Sequence, residues 1–228
     1  MLKFRFVDAV RESIEFPKLA SFFISREDQV AFRRFADDLA RFRDSSQTEA
    51  TWQTPMPIST KVSEGEYEVD GRGARVVGSF STIWEIKKAE PGLFVIAGNA
   101  STSFSIMRED GSIVRSWNMD IAAHDSPGCH FHSQIVARGD GEWNISVPRL
   151  PGLAVSPFSA FEFLLSELFQ TEWALRSQTA NGAQGWRAVQ KRRLEKLLAW
   201  AAREIDKPGV SPWVAFKTAK PNADLFSS

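Results

Sequence analysis

Val76-Val-Gly-Ser-Phe-Ser-Thr-Ile-Trp-Glu-Ile-Lys87 leads through Lys88-Ala-Glu90-Pro-Gly92 into Leu93-Phe-Val-Ile-Ala97, and this order of β-prone run, turn and β-prone run decides the fold. Val, Ile, Phe, Trp and Thr suit a pleated, half-buried strand, and Glu90-Pro-Gly92 is turn chemistry. Working outward, Ser103 to Arg108, Ile113 to Ala122, Cys129 to Arg138 and Trp143 to Val147 repeat the pattern, separated by Asp110-Gly111, Ser126-Pro-Gly128 and Gly139-Asp-Gly141. Short turns between consecutive strands imply an antiparallel meander, because a parallel pair needs a long crossover. No Gly-rich phosphate loop follows any of these runs, so neither nucleotide-binding glycine fingerprint is present.

Helical spacing flanks this region. Over residues 25 to 43, Ser25 is a candidate N-cap with Asp28 three residues on, and Phe32, Phe35, Leu39 and Phe42 form one apolar face opposite Arg33, Arg34, Asp37, Asp38 and Arg41. From Asp44 to Lys61 the chain is rich in Ser, Thr and Pro and reads as a connecting loop. Ser156-Pro157 starts a helix carrying Phe158, Phe161, Leu164, Leu165, Leu168 and Phe169, and a last helix runs from about Gly185 to Ile205. The tail beyond Ser211 reads as loosely docked. The expected class is α+β, an antiparallel β-meander with helices packed on one face, in the order helix, strands, helix, helix. One domain spans 1–228, with the first helix at 25–43, the sheet at 74–148 and the C-terminal helices at 156–206.

Composition narrows the function. A chain of 228 residues, 43% of them hydrophobic, can bury a substantial core. Lys plus Arg and Asp plus Glu number 28 each, so no overall field favours nucleic acid or an anionic membrane. A single cysteine forms no internal disulfide and fits a reducing, cytoplasmic location. The N-terminal residues lack the apolar core of a signal peptide, and no uninterrupted apolar run is long enough to span a bilayer. Eighteen phenylalanines and eight tryptophans against one tyrosine point to aromatic core packing. Arg187, Lys191, Arg192, Arg193 and Lys196 make a basic face on the last helix, read as solvated, with an anion or nucleic-acid patch as the other reading.

The chemistry is concentrated in one stretch, His124-Asp-Ser-Pro-Gly-Cys129-His130-Phe-His132-Ser-Gln134, which holds every histidine and the cysteine. Strand alternation sets His130, His132 and Gln134 on one face and Phe131, Ser133 and Ile135 on the other. Histidine ionises near neutrality, so the row suits proton transfer, phosphoryl attack or metal ligation. In a phosphate reading, His130 and His132 are the catalytic candidates, Gln134 is an uncharged phosphate contact and Arg149 an auxiliary anion contact; no cofactor is required. In a metal reading, His130 and His132 would hold zinc, with His124 or Asp125 completing the set. In a structural reading, the row only satisfies neighbouring strands, and the chain is a non-enzymatic interaction subunit docking a protein through its C-terminal helices. Cys129 lies opposite His130 on a strand and reads as an inert thiol.

The pattern His130-Phe-His132-Ser-Gln134 resembles the His-x-His-x-Gln signature of the histidine-triad superfamily, in its galactose-1-phosphate uridylyltransferase and dinucleoside-polyphosphate phosphorylase branches. That resemblance implies a nucleotidyl-accepting nucleophile at His132, with Gln134 on the phosphate. The layout of this strand, Arg149-Leu-Pro151 and a Pro-initiated apolar helix is similar to uncharacterised bacterial proteins of toxin or phage-defence neighbourhoods. The implied activity is a transferase or hydrolase acting on a phosphoester or nucleotide.

Overall fold

The computed structural model describes residues 1–122, 130–136, 150–152 and 156–220. Strand β1 (Lys3–Arg5) precedes helices α1 (Phe6–Ala20) and α2 (Asp28–Asp44). Strands β2 (Glu49–Gln53), β3 (Ile58–Ser59), β4 (Ser63–Val69), β5 (Arg72–Lys88), β6 (Leu93–Arg108), β7 (Ile113–Ile121), β8 (Phe131–Val136) and β9 (Leu150–Pro151) follow. Helices α3 (Pro157–Leu168), α4 (Gln170–Thr179), α5 (Ala183–Ile205) and α6 (Pro212–Thr218) close the described chain. The class is α+β, as the turn spacing implies.

Among the described residues every strand pairing is antiparallel, in one nine-stranded sheet whose main path runs β2-β5-β6-β7-β8-β9, with β1 on β6 and β3 and β4 on β5. On β5 the burial alternates: Val76, Gly78, Phe80, Thr82, Trp84 and Ile86 are buried, whereas the residues between them are half-buried or exposed. That period of two is the signature of a sheet covered on one face. The helices cover the buried face. Phe80 stacks on Phe161 of α3 at 4.6 Å and Phe35 of α2 stacks on Trp52 at 4.7 Å. Phe16 of α1 sits at the centre of an aromatic cluster, with its ring 4.6 Å from Trp186 and about 6 Å from Phe32, Phe158, Phe161 and Trp173. One apolar cluster extends from Leu2 to Ala219, so the aromatic excess serves mainly the core. Among the described residues no helix is long and apolar enough to cross a membrane.

Several expected boundaries shift. The N-cap position of α2 falls on Glu27 rather than Ser25, but the Ser25 hydroxyl accepts from the Asp28 N–H at 3.1 Å at the start of the helix, and Phe32, Phe35, Leu39 and Phe42 are all buried. The Asp44–Lys61 segment contains β2 and β3 and is more than a connector. Its strands pair with β5, so the sheet begins well before residue 74. The two runs read as 93–97 and 103–108 are one strand, β6, because β5 and β7 hold the intervening polar and small residues in the ladder. Helices α1 and α4 were not expected. Beyond Ser211, α6 docks with Ala215 buried. The Trp143–Val147 run lies outside the described residues.

Candidate functional site

The face of β6, β7 and β8 turned away from the helices is polar by alternation. Antiparallel register sets Ser101, Asp120 and His132 in one row across the three strands, and Ser103, Asn118 and Gln134 in the next. Their sequence neighbours Phe104, Trp117, Met119 and Phe131 face the helix side, where Phe104 stacks on Trp117 at 5.1 Å. Directly opposed residues in a sheet are close enough to interact, and here they do. The Ser101 hydroxyl donates to Asp120 Oδ1 at 2.6 Å, and Asp120 Oδ2 lies 3.3 Å from His132 Nε2. A row further on, the hydroxyls of Ser105 and Ser116 are 2.9 Å apart.

Asp120 is thus held on one oxygen and faces the imidazole with the other. A carboxylate at that distance orients the ring and stabilises the imidazolium once it forms. The His132 side chain is only 4% exposed and that of Asp120 18%, so the contact is largely shielded from competing water. Gln134 and Asn118 are half-buried beside them, offering amide donors and acceptors without charge. The arrangement can move a proton, support a charged imidazole and contact an oxyanion.

His132 and Gln134 therefore share a face, with Phe131, Ser133 and Ile135 on the other. His130 differs. The ladder starts at Phe131 and the chain bends at His130, so strand alternation does not set its direction. It is buried, its ring is edge-on to Phe131 at 5.0 Å, and its carbonyl accepts the Ala122 N–H at 2.8 Å. His124, Cys129 and Arg149 lie outside the described residues. Among the described residues, no group of three or more His, Cys, Asp or Glu side chains could hold a metal ion, so a zinc site would have to draw on His124 or another residue outside them.

Sequence reasoning did not single out Asp120, Ser101 or Asn118. The polar alternation Ser116, Asn118, Asp120 was present in the run 113–122; what it lacked was the register that sets Asp120 against His132. A second polar cluster, on the helix side, also went unread. Glu12 of α1 is 1% exposed and accepts from the Ser156 hydroxyl at 3.0 Å, from the Gln190 amide and from the Arg193 guanidinium. Asp8, one turn earlier, pairs with Arg192 at 2.7 Å. The expected solvated basic face on the last helix is corrected in part: Arg187 and Lys191 are exposed, but Arg193 is buried and Arg192 half-buried, each drawn inward by a carboxylate of α1. Comparison with known proteins finds no matching family model, no matching curated protein and no matching solved structure.

Proposed function

We propose that this chain handles a phosphate ester or nucleotide, as a transferase or hydrolase, on the sheet face that carries His132. The observation that supports this reading is the Ser101–Asp120–His132 row, an imidazole held against a carboxylate whose second oxygen is already satisfied. Buried histidine–carboxylate pairs suit both nucleophilic and proton-transfer roles. A ring nitrogen of His132 attacks phosphorus as the bond to the leaving oxygen breaks, Asp120 holds the resulting imidazolium, and water or an acceptor hydroxyl then displaces His132. Gln134 and Asn118 contact the phosphate oxygens. The likeness of His130-Phe-His132-Ser-Gln134 to the His-x-His-x-Gln signature assigns the same residue the same part.

The test is turnover of a panel of phosphate monoesters, phosphodiesters and dinucleoside polyphosphates. His132→Ala is expected to lower turnover by about 100-fold or more, with Asp120→Asn intermediate, while both variants keep their circular dichroism. Undiminished turnover in a folded His132→Ala protein, or no turnover of any panel member by the wild type, overturns the reading. The burial of His132 favours a second reading, in which the row only knits β6, β7 and β8 together in a non-enzymatic interaction subunit. There, His132→Ala lowers the melting temperature, and the wild type turns over nothing on the panel.

A further inference from the structure

Between α3, α4, α5 and the helix-side face of β7 and β8 lies a cavity of about 490 Å³. Its size falls in the range of small-molecule sites. Met119, Phe163, Trp173 and Leu197 give it a mainly apolar wall, and Ser133 and Glu162 are among its polar groups. It is separate from the row described above, because Met119 and Ser133 project to the opposite face from Asp120 and His132.

Most of the donors bordering this cavity are engaged within the protein. Ser156, Gln190 and Arg193 all donate to Glu12, the Ser159 hydroxyl donates to Gln190 Oε1, and the Ser166 hydroxyl donates to the Phe163 carbonyl. Arg193 is neutralised by Glu12 at the same time. The acceptor side differs. Glu162 is half-buried and takes hydrogen bonds from the indoles of Trp186, at 3.0 Å, and Trp173; a carboxylate offers roughly four acceptor positions, so about half remain. The cavity therefore presents spare acceptor capacity, a carboxyl group and aromatic rings, while Arg193 is already matched by Glu12 and most of the donors are engaged.

Each ligand class meets this differently. An anion would set a third negative charge beside Glu162 and Glu12, with Arg193 already committed. A neutral apolar molecule would fill the cavity but leave the carboxylate without its missing donor, at the cost of desolvating it. An ammonium supplies the donor and the charge together, and aromatic faces add cation–π attraction. We propose that this cavity binds a small organic cation with an apolar body, an arylalkylamine in class, its ammonium on Glu162 and its hydrocarbon against Met119, Phe163 and Leu197.

Phenethylamine is the probe, titrated into the full-length chain by calorimetry and by tryptophan fluorescence, because Trp173 and Trp186 both touch Glu162. Its oxygen analogue, 2-phenylethanol, and the anion 3-phenylpropionate are titrated in parallel. The expected result is saturable binding of one amine per chain, at least about tenfold tighter than either analogue. Glu162→Gln keeps an acceptor for the Trp186 indole and is expected to weaken the amine by about tenfold or more with little change for the alcohol. Leu194→Trp, at the rim where Leu194 is 43% exposed, should narrow the entrance and weaken all probes without unfolding the protein. His132→Ala should leave binding unchanged. No saturable amine binding, equal affinity for the acid, or an unaffected Glu162→Gln protein overturns the proposal.

Discussion

Glu12 shows how much one side chain can organise. Buried at 1% exposure, it joins α1 to the start of α3 and to two turns of α5 through Ser156, Gln190 and Arg193. Removing one partner of a buried pair leaves the other charge uncompensated, which typically costs about 3–5 kcal/mol, whereas replacing both by apolar groups is often far cheaper. Glu12→Ala is therefore expected to destabilise the protein by about that amount in urea unfolding, and the double variant Glu12→Met, Arg193→Met to recover much of the loss. Glu162 supplies a second expectation, in pH. Burial pushes its carboxyl above the ordinary carboxylic-acid range and the Glu12 carboxylate adds to this, while the indoles of Trp186 and Trp173 oppose it; Arg193 lines the same cavity from α5. The folded state holds this proton more tightly than the unfolded chain, so its contribution to stability is full below the unfolded-state pKa and is lost as pH rises through the higher folded-state value. Thermal melts should show this decline in the wild type and a flatter profile in Glu162→Gln across the same interval. Of these residues, His132 and Gln134 were legible from alternation. Glu12 and Glu162 were not, since Glu12 lies on a helix that the sequence did not announce and a carboxylate on a helix such as α3 ordinarily reads as solvated.

At the scale of elements, α3 approaches β5 at Gly78. A β-carbon there would stand 2.7 Å from Leu168 Cδ1, 3.0 Å from Leu164 Cδ2 and 3.2 Å from Thr60 Cγ2, in a core where Leu164 and Leu168 are fully buried. Gly78→Val is expected to cost about 1–3 kcal/mol through overpacking, seen as a lower melting temperature, with Gly78→Ala milder. The reading of single elements succeeded where one face was wholly apolar. Helix α2 announces itself through Phe32, Phe35, Leu39 and Phe42, and α3 through Ser156-Pro157 and its leucines and phenylalanines. Helix α1 did not, because its buried face includes Asp8, Glu12 and Ser13 among the apolar residues, and Pro17 interrupts the helical signal. Likewise β6 read as two short strands, because Ala97-Gly-Asn-Ala100 has weak strand preference and is held by its neighbours.

For the whole molecule, the amino-acid sequence alone determined the α+β class, the antiparallel sense of the sheet and the apolar faces of α2 and α3. Those properties follow from propensities and periodicities that act over a few residues and so are written locally. The tertiary structure alone decided that Asp120 meets His132, that Glu12 meets Arg193 across 181 positions, and that a cavity forms where α3, α4 and α5 cross the sheet. Such pairings depend on strand register and helix packing, whose free energy is shared among many distant contacts. No single residue in the chain names the group it will face, and only the folded arrangement brings the two together.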